Sequence, residues 1–401
     1  MIENSIVYRD FKGKYEYLPL SRADGSLLWD RDGKRYIDFS SAWNVTNLGW
    51  NNPEVNGAII EQAQKNVQGL LWGSDPIQEA YAKELTKALP EELDACIKET
   101  SGTESIEAAI KVARVYTGRK KIIGFNSQYH GQLFASLAIG YPKDAHPKLQ
   151  PLVPEIGPIA FPHDKVSEAD WQKFIIDFEE ILSHKDIAAV VTEPGIITGW
   201  GSTLIAHSGF LTKLRELTVK YGTLLIIDEV GTGFSRTGKL FGIQHEGIVP
   251  DMIALAKGIS NGAAAIGAVV GKSEIFAQAF SESILISTFG WTPLGCAASL
   301  KTLQIHLRDK TWEMAEKKGN YLKEKLSAQI GDILVDVHGM GLEIGARFKD
   351  AQTCSRVQKA CFAAGLHVVV GSGDNMQIMP PLTIPQDLLD EGLDILVRNL
   401  K

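Results

Sequence analysis

The chain has 401 residues, 44% hydrophobic and 22% charged, with a formal net charge of −7 and a pI near 5.8. That length supports a large core and points to two domains, while the acidic balance argues against nucleic acid as a partner because no basic patch stands out. No run reaches the apolar length of a membrane span, and residues 1–10 lack the basic-then-apolar order of a signal peptide, so a cytoplasmic protein is expected. The four cysteines, Cys96, Cys296, Cys354 and Cys361, show no metal-like spacing and read as buried or reduced thiols.

Taken in chain order, the first informative segment is Thr100-Ser101-Gly102-Thr103-Glu104, which precedes Ile106, Ala109, Ile110 and Ala113 at helical spacing. The small hydroxylic residues therefore sit at a helix N-terminus, where free N–H groups and the positive dipole end suit a phosphate; an ordinary N-cap by Ser101 or Thr103 reads equally well from this segment alone. A strand at 121–125 leads to Gln128-Tyr129-His130-Gly131, and a second strand at 188–192 precedes Glu193. Thr223-Leu224-Leu225-Ile226-Ile227 reads as a buried parallel strand ending on Asp228, whose carboxylate would point into the crevice where open α/β sheets bind ligands; a helix cap or a magnesium ligand is the plainer reading of such an acid. After a strand at 252–255 comes Lys257, set between an apolar stretch and the glycine-rich turn Gly258-Ile259-Ser260-Asn261-Gly262. An ammonium among apolar neighbours is poorly solvated, which favours the neutral, nucleophilic amine that can form a Schiff base. Further strands are expected at 264–270 and 284–287. Beyond residue 295 helices at 294–307 and 311–330, extended runs at 342–348 and 367–370, and a last helix near 386–400 suggest a smaller α+β unit. Strand-helix alternation before it implies a mostly parallel sheet covered on both faces.

A lysine for an aldehyde, a helix end for a phosphate and a carboxylate to keep a ring nitrogen protonated together describe the needs of pyridoxal 5′-phosphate. Competing motifs fall short. Gly233 to Lys239 nearly matches a phosphate-binding P-loop, but Leu240 follows where a hydroxyl is required, and Gly267 to Ser273 is one residue short. Gly258-Ile259-Ser260-Asn261-Gly262 formally fits a hydrolase elbow, yet no triad partner can be assigned among the nine histidines. No histidine pair has metal-site helical spacing, so no metal is expected.

The chain resembles the class III aminotransferases of the fold-type I pyridoxal-phosphate enzymes, a group that includes ornithine, acetylornithine, 4-aminobutyrate and ω-amino-acid aminotransferases and glutamate-semialdehyde aminomutase. The resemblance rests on residues 25–39 and 48–55, Ser101 to Glu104, Gln128 to Gly131, Asp228 to Val230 with Gly233 to Lys239, Ala256-Lys257-Gly258, Ser287 to Gly290 with Pro293, and 379–384. It implies a fold-type I α/β architecture, with a large cofactor-binding domain at 46–293 and a small domain formed by 1–45 and 294–401. It also implies that Lys257 forms the Schiff base and later shuttles a proton, that Asp228 pairs with the pyridinium nitrogen, and that Tyr129 and Val230 flank the ring. Ser101, Gly102 and Thr103 would bind phosphate, with Thr288 reaching the same phosphate from the neighbouring subunit of a homodimer. His130 and Glu193 are expected beside the cofactor, His130 being equally readable as a structural or pocket-lining group. The reaction implied is ping-pong transfer of an amino group from a small amine or (ω-)amino-acid donor to a keto acid or aldehyde acceptor through pyridoxamine phosphate. Aminomutase and racemase or epimerase chemistry share its first step, and a non-catalytic binding protein would be expected to lack Lys257 or Asp228.

Two departures stand out. Many family members that bind amino-acid carboxylates carry an arginine three residues before the Pro-Pro pair, where this chain has Gln377, and an amide cannot supply a charged bidentate fork. A glutamine often found three residues after the aspartate is here Gly231. Trp43, Trp50, Trp72 and Trp291 occupy segments that shape substrate pockets in relatives; Trp43 and Trp72, with Gln377, are the substrate candidates, although core packing is the common fate of a single tryptophan.

Overall fold

The computed structural model describes residues 18–65, 75–140, 147–199, 203–283, 285–371 and 373–400. Trp72 lies outside them. At its centre is a seven-stranded sheet in the order Ala95–Glu99, Gly267–Gly271, Met252–Leu255, Leu224–Asp228, Ile187–Thr192, Lys121–Phe125 and Ile156–Ile159. All neighbours pair in parallel except Gly267–Gly271, which runs antiparallel to the strands on both its sides. Side chains alternate across a strand, and Leu224–Asp228 shows why this one is apolar throughout. Leu225 and Ile227 enter a core with Phe125, Phe178, Phe210 and Leu214, whereas Leu224 and Ile226 enter the opposite core with Ile106, Ala109, Ile110 and Ala113 of the helix Gly102–Thr117. The sheet is thus covered on both faces, as the alternation predicts.

The expected strand at 264–270 begins later, at Gly267, because residues 264–266 line a cavity instead. No strand forms at 285–287: Leu285 enters the core of the large sheet from a loop while Ile286 is exposed, so that apolar run reflects loop packing and not a sheet. The helices at Pro293–Asp309, Thr311–Ser327 and Gln386–Arg398 fall where expected.

A separate core gathers Ile37, Phe39, Ala315, Leu342, Ile344, Ile378 and Leu393. Its antiparallel sheet runs Leu334–Met340, Glu343–Phe348, Asn375–Ile378, Val369–Val370, and the N-terminal strands at 20–38 form a second sheet with Leu366–His367, which pairs in parallel with Arg35–Asp38. The helix Pro293–Asp309 places Cys296 and Leu303 in the core of the large sheet. Among the described residues no helix is long and apolar enough to cross a membrane.

Candidate active site

Parallel pairing fixes where the polar residues gather. The strands ending at Glu99, Phe125, Thr192, Asp228 and Leu255 all finish at one edge of the sheet, so their following loops converge there, as ligand-binding crevices of open α/β sheets require. A cavity of about 450 Å³ opens at that edge, lined among others by Ser101, Gly102, Thr103, Tyr129, His130, Glu193, Asp228, Val230 and Lys257. Nine expected site residues thus share one cavity. Thr288 does not reach it; it lines an adjoining cavity bounded by Thr100, Ala264 and Ala265, which border both.

At the phosphate end, the Ser101 hydroxyl caps its helix by accepting from the Glu104 N–H (3.2 Å), and the Glu104 carboxylate returns to accept from the Thr100 N–H (2.9 Å) and hydroxyl. The two readings of this segment are therefore compatible: Ser101 serves its own helix while Gly102 and Thr103, one step on, present the positive helix end to the cavity. Gly102 is needed, because a Cβ there would stand 2.9 Å from both Val230 methyl carbons. Likewise a Cβ at Gly199 would meet the Tyr129 Cβ at 2.4 Å, so that residue must be bare for Tyr129 to lie along the wall.

Lys257 has φ of +48°, a left-handed conformation unusual for a side chain of its length, and stands half-buried on the cavity wall. Its turn is clamped by Asn261, whose amide accepts from Leu48 N–H (2.8 Å) and donates to Gly49 O (2.8 Å). Asp228 is buried; its Oδ1 accepts from the Val230 N–H (2.9 Å) and its Oδ2 lies 2.7 Å from His130 Nδ1. Glu193 is also buried, and burial together with the nearby Asp228 charge pushes its carboxyl up to about 7. Its Oε2 accepts from the Thr198 N–H and hydroxyl, both at 2.7 Å, whereas its buried Oε1 has no hydrogen-bond partner among the described residues.

Gly231 acquires a reason here: a Cβ would come within 2.2 Å of the Thr198 hydroxyl oxygen, so Thr198 fills the space that a side chain at 231 would need. Gln377 is wholly buried behind the cavity wall. Its amide donates to Thr198 O (3.1 Å) and to Glu343 Oε1 (3.2 Å), and its oxygen accepts from the Trp43 indole N–H (3.2 Å). Trp43 belongs to a run of four left-handed residues, Ser41 to Asn44, with φ between 45° and 64°. The other described tryptophans of the group belong to the frame: Trp50 donates to Asp38 (2.7 Å), and Trp291 packs on Tyr81 and donates to Gly267 O (2.8 Å).

Residue-by-residue reading missed Gln128, Thr198 and Arg236. Gln128 adjoins the Tyr-His pair and Arg236 lies within Gly233 to Lys239, either of which could have drawn attention; Thr198 carries no local signal. Arg236 is fully buried and donates to Leu342 O (3.0 Å), Pro380 O (2.8 Å), Ser41 Oγ (3.3 Å) and Asn47 Oδ1 (2.7 Å), tying the cavity's outer wall to the C-terminal sheet.

A covered parallel sheet with a lysine, a buried acid and a helix end at one crevice defines a pyridoxal-phosphate enzyme of fold type I. Glycine-lined space, the orphaned Glu193 oxygen and the converging donors fit that cofactor. The chain belongs to the class III aminotransferases, whose family model matches residues 11–400. It is 35% identical over 379 residues to the acetylornithine aminotransferase of Methanopyrus kandleri, covering 94% of this chain and 93% of that one. The Streptococcus mutans enzyme of the same name is likewise 35% identical, over 94% of this chain and 95% of its own. Among solved structures, the acetylornithine aminotransferase of Elizabethkingia anophelis has a TM-score of 0.82 at 28% identity, covering 100% of this chain and 96% of that chain. The ornithine aminotransferase of Toxoplasma gondii, described with pyridoxal phosphate partly occupying its active site, shares the fold at TM-score 0.87 and 24% identity, over 97% and 91% of the two chains.

Proposed function

We propose that this aminotransferase takes its amino group from an amine or an ω-amino compound whose α-carboxylate is not gripped by an arginine at position 377, and passes it to a keto acid or aldehyde. The observation that carries this reading is the fate of Gln377, whose amide is engaged by Trp43, Thr198 and Glu343, while the described lining of the cavity holds no arginine and no lysine besides Lys257. When bound, pyridoxal phosphate supplies the electron sink that makes the substrate C–H acidic. The chain supplies the rest. Gly102 and Thr103 would hold the phosphate at the helix end, with Ser101 bracing that end; Tyr129 and Val230 would flank the ring; and the Asp228 carboxylate would keep a proton on the ring nitrogen. Glu193 and His130 border it, and Lys257 Nζ takes and returns the proton at the substrate carbon.

A half-reaction screen tests the donor class by following the change in cofactor absorbance with diamines, ω-amino acids, acetylornithine and glutamate. Loss of a charge-assisted fork costs about 1.5–3 kcal/mol, so glutamate is expected to react roughly 10- to 150-fold less efficiently than the best ω-amine. A wild type equally fast with glutamate overturns the reading. Gln377→Arg alone is expected to bring no gain with glutamate, because the guanidinium would pair with Glu343 at the position the amide now holds; Gln377→Arg with Glu343→Gln frees it.

The same reading takes residues 46–293 as the cofactor domain and 1–45 with 294–401 as the second unit, supported by their separate cores, although the helix Pro293–Asp309 leans on the large sheet. It takes the working form as a cytoplasmic homodimer. The cavity bearing Thr288 has an apolar rim, with Phe289 69% and Ile286 56% exposed, which a second copy would cover while delivering Thr288 to its neighbour's phosphate. Mixing Lys257→Ala with Thr288→Val subunits should restore activity in one of two shared pockets; hybrids that form and stay inactive contradict shared sites.

A further inference from the structure

We infer that Gln128 dictates which nitrogen of His130 carries hydrogen, and that it thereby sets the charge with which Asp228 meets a cofactor. Gln128 is buried, and its amide orientation is fixed from both sides. The Thr192 hydroxyl donates to Glu193 O (3.0 Å), so toward Gln128 it can only accept, and it takes the Gln128 Nε2 hydrogen at 2.8 Å. The Gln128 oxygen accordingly faces the Glu193 backbone N–H (3.3 Å), a group that can only donate. That same oxygen lies 3.1 Å from His130 Nε2. An amide oxygen cannot donate, so His130 Nε2 bears the hydrogen.

The consequence reaches the other side of the ring. His130 Nδ1 and Asp228 Oδ2 are 2.7 Å apart, both buried, and an unprotonated nitrogen facing a carboxylate would set two lone pairs against each other. With its hydrogen already committed at Nε2, a neutral imidazole has none left for Nδ1. The contact therefore contains an additional proton, and histidine and aspartate together carry no net charge. Had Gln128 been apolar, His130 could place its single hydrogen on Nδ1, satisfy the aspartate as a neutral ring, and leave the pair with a charge of −1. Asp228 would then hold a proton on an adjacent ring nitrogen more tightly. Gln128 is thus a positioning residue that moderates the acid beneath the cofactor. The step to the cofactor rests on the pyridoxal-phosphate site; the placement of the hydrogen does not.

Ring-¹⁵N-histidine NMR of the holoenzyme tests this, with the His130 signals assigned by their loss in His130→Asn. The wild type should show hydrogen on His130 Nε2, and a bare Nε2 overturns the inference whatever the variants do. Gln128→Met should lose the Nε2 hydrogen and keep Nδ1–H, and Gln128→Glu, which retains an acceptor, should keep the wild-type pattern. A Gln128→Met holoenzyme that folds, binds the cofactor and leaves the Nε2 hydrogen in place also overturns it. The same NMR measurement on cofactor-free protein separates the two layers: a correct tautomer there, without cofactor binding, sinks the pyridoxal-phosphate reading and spares the Gln128 assignment.

Discussion

Lys257→Ala should reduce amino transfer by roughly 10³-fold or more, the scale of removing both a positioned nucleophile and the general base that serves it. The fold should tolerate the change. Position 257 already sits at φ +48°, so alanine inherits the same left-handed turn, and the Asn261 clamp on Leu48 and Gly49 does not involve the lysine side chain. The thermal midpoint should therefore stay near that of the wild type while turnover disappears, and this separation identifies a chemical role. Single-turnover and steady-state rates with the best donor, measured beside a melting curve, make the comparison. A variant that keeps a tenth of the wild-type rate would show that the amine at 257 is dispensable.

Arg236→Met should destabilise the protein by on the order of 3–5 kcal/mol, the usual result of removing one side of a buried charged hydrogen-bond cluster. Four acceptors lose their donor, namely Leu342 O, Pro380 O, Ser41 Oγ and Asn47 Oδ1, and none is at the surface. Each unpaired buried acceptor costs about 1–3 kcal/mol, while loss of the arginine's own desolvation penalty returns part of the sum. The damage should spread to the site, since Ser41 opens the left-handed run that holds Trp43 against Gln377, and Asn47 packs under Gly258 beside the lysine. The denaturation midpoint and the cofactor dissociation constant should worsen together. A variant within about 1 kcal/mol of the wild type would mean that the cluster is held by its other contacts.

What could be read from the chain follows physical rules. Leu224 to Ile227 was legible because a strand buried on both faces is apolar without interruption, and Asp228 because a parallel strand aims its next residue into the crevice. Lys257, Gly102 and Tyr129 were legible through local pattern and resemblance. The run at 285–287 misled because apolar residues also serve loops, here with Leu285 in the core and Ile286 at the surface. Trp50 and Trp291 occupy segments that shape substrate pockets in relatives, yet they spend their indole N–H groups on Asp38 and Gly267. Gln377 could be recognised as a departure, yet its seal of Trp43, Thr198 and Glu343 depends on partners brought together only by folding. Gln128 and Arg236 lie in segments that carry the resemblance, but their roles depend on partners set by folding: Gln128 meets Thr192 across 64 residues and Arg236 meets Ser41 across 195.

The most direct test of the whole account is to load the protein with pyridoxal phosphate, reduce it with borohydride and map the modified peptide by mass spectrometry. A single cofactor adduct per chain is expected, on Lys257, and none in Lys257→Ala. An adduct on another lysine with Lys257 unmodified, or the absence of any adduct from a protein saturated with the cofactor, would contradict it.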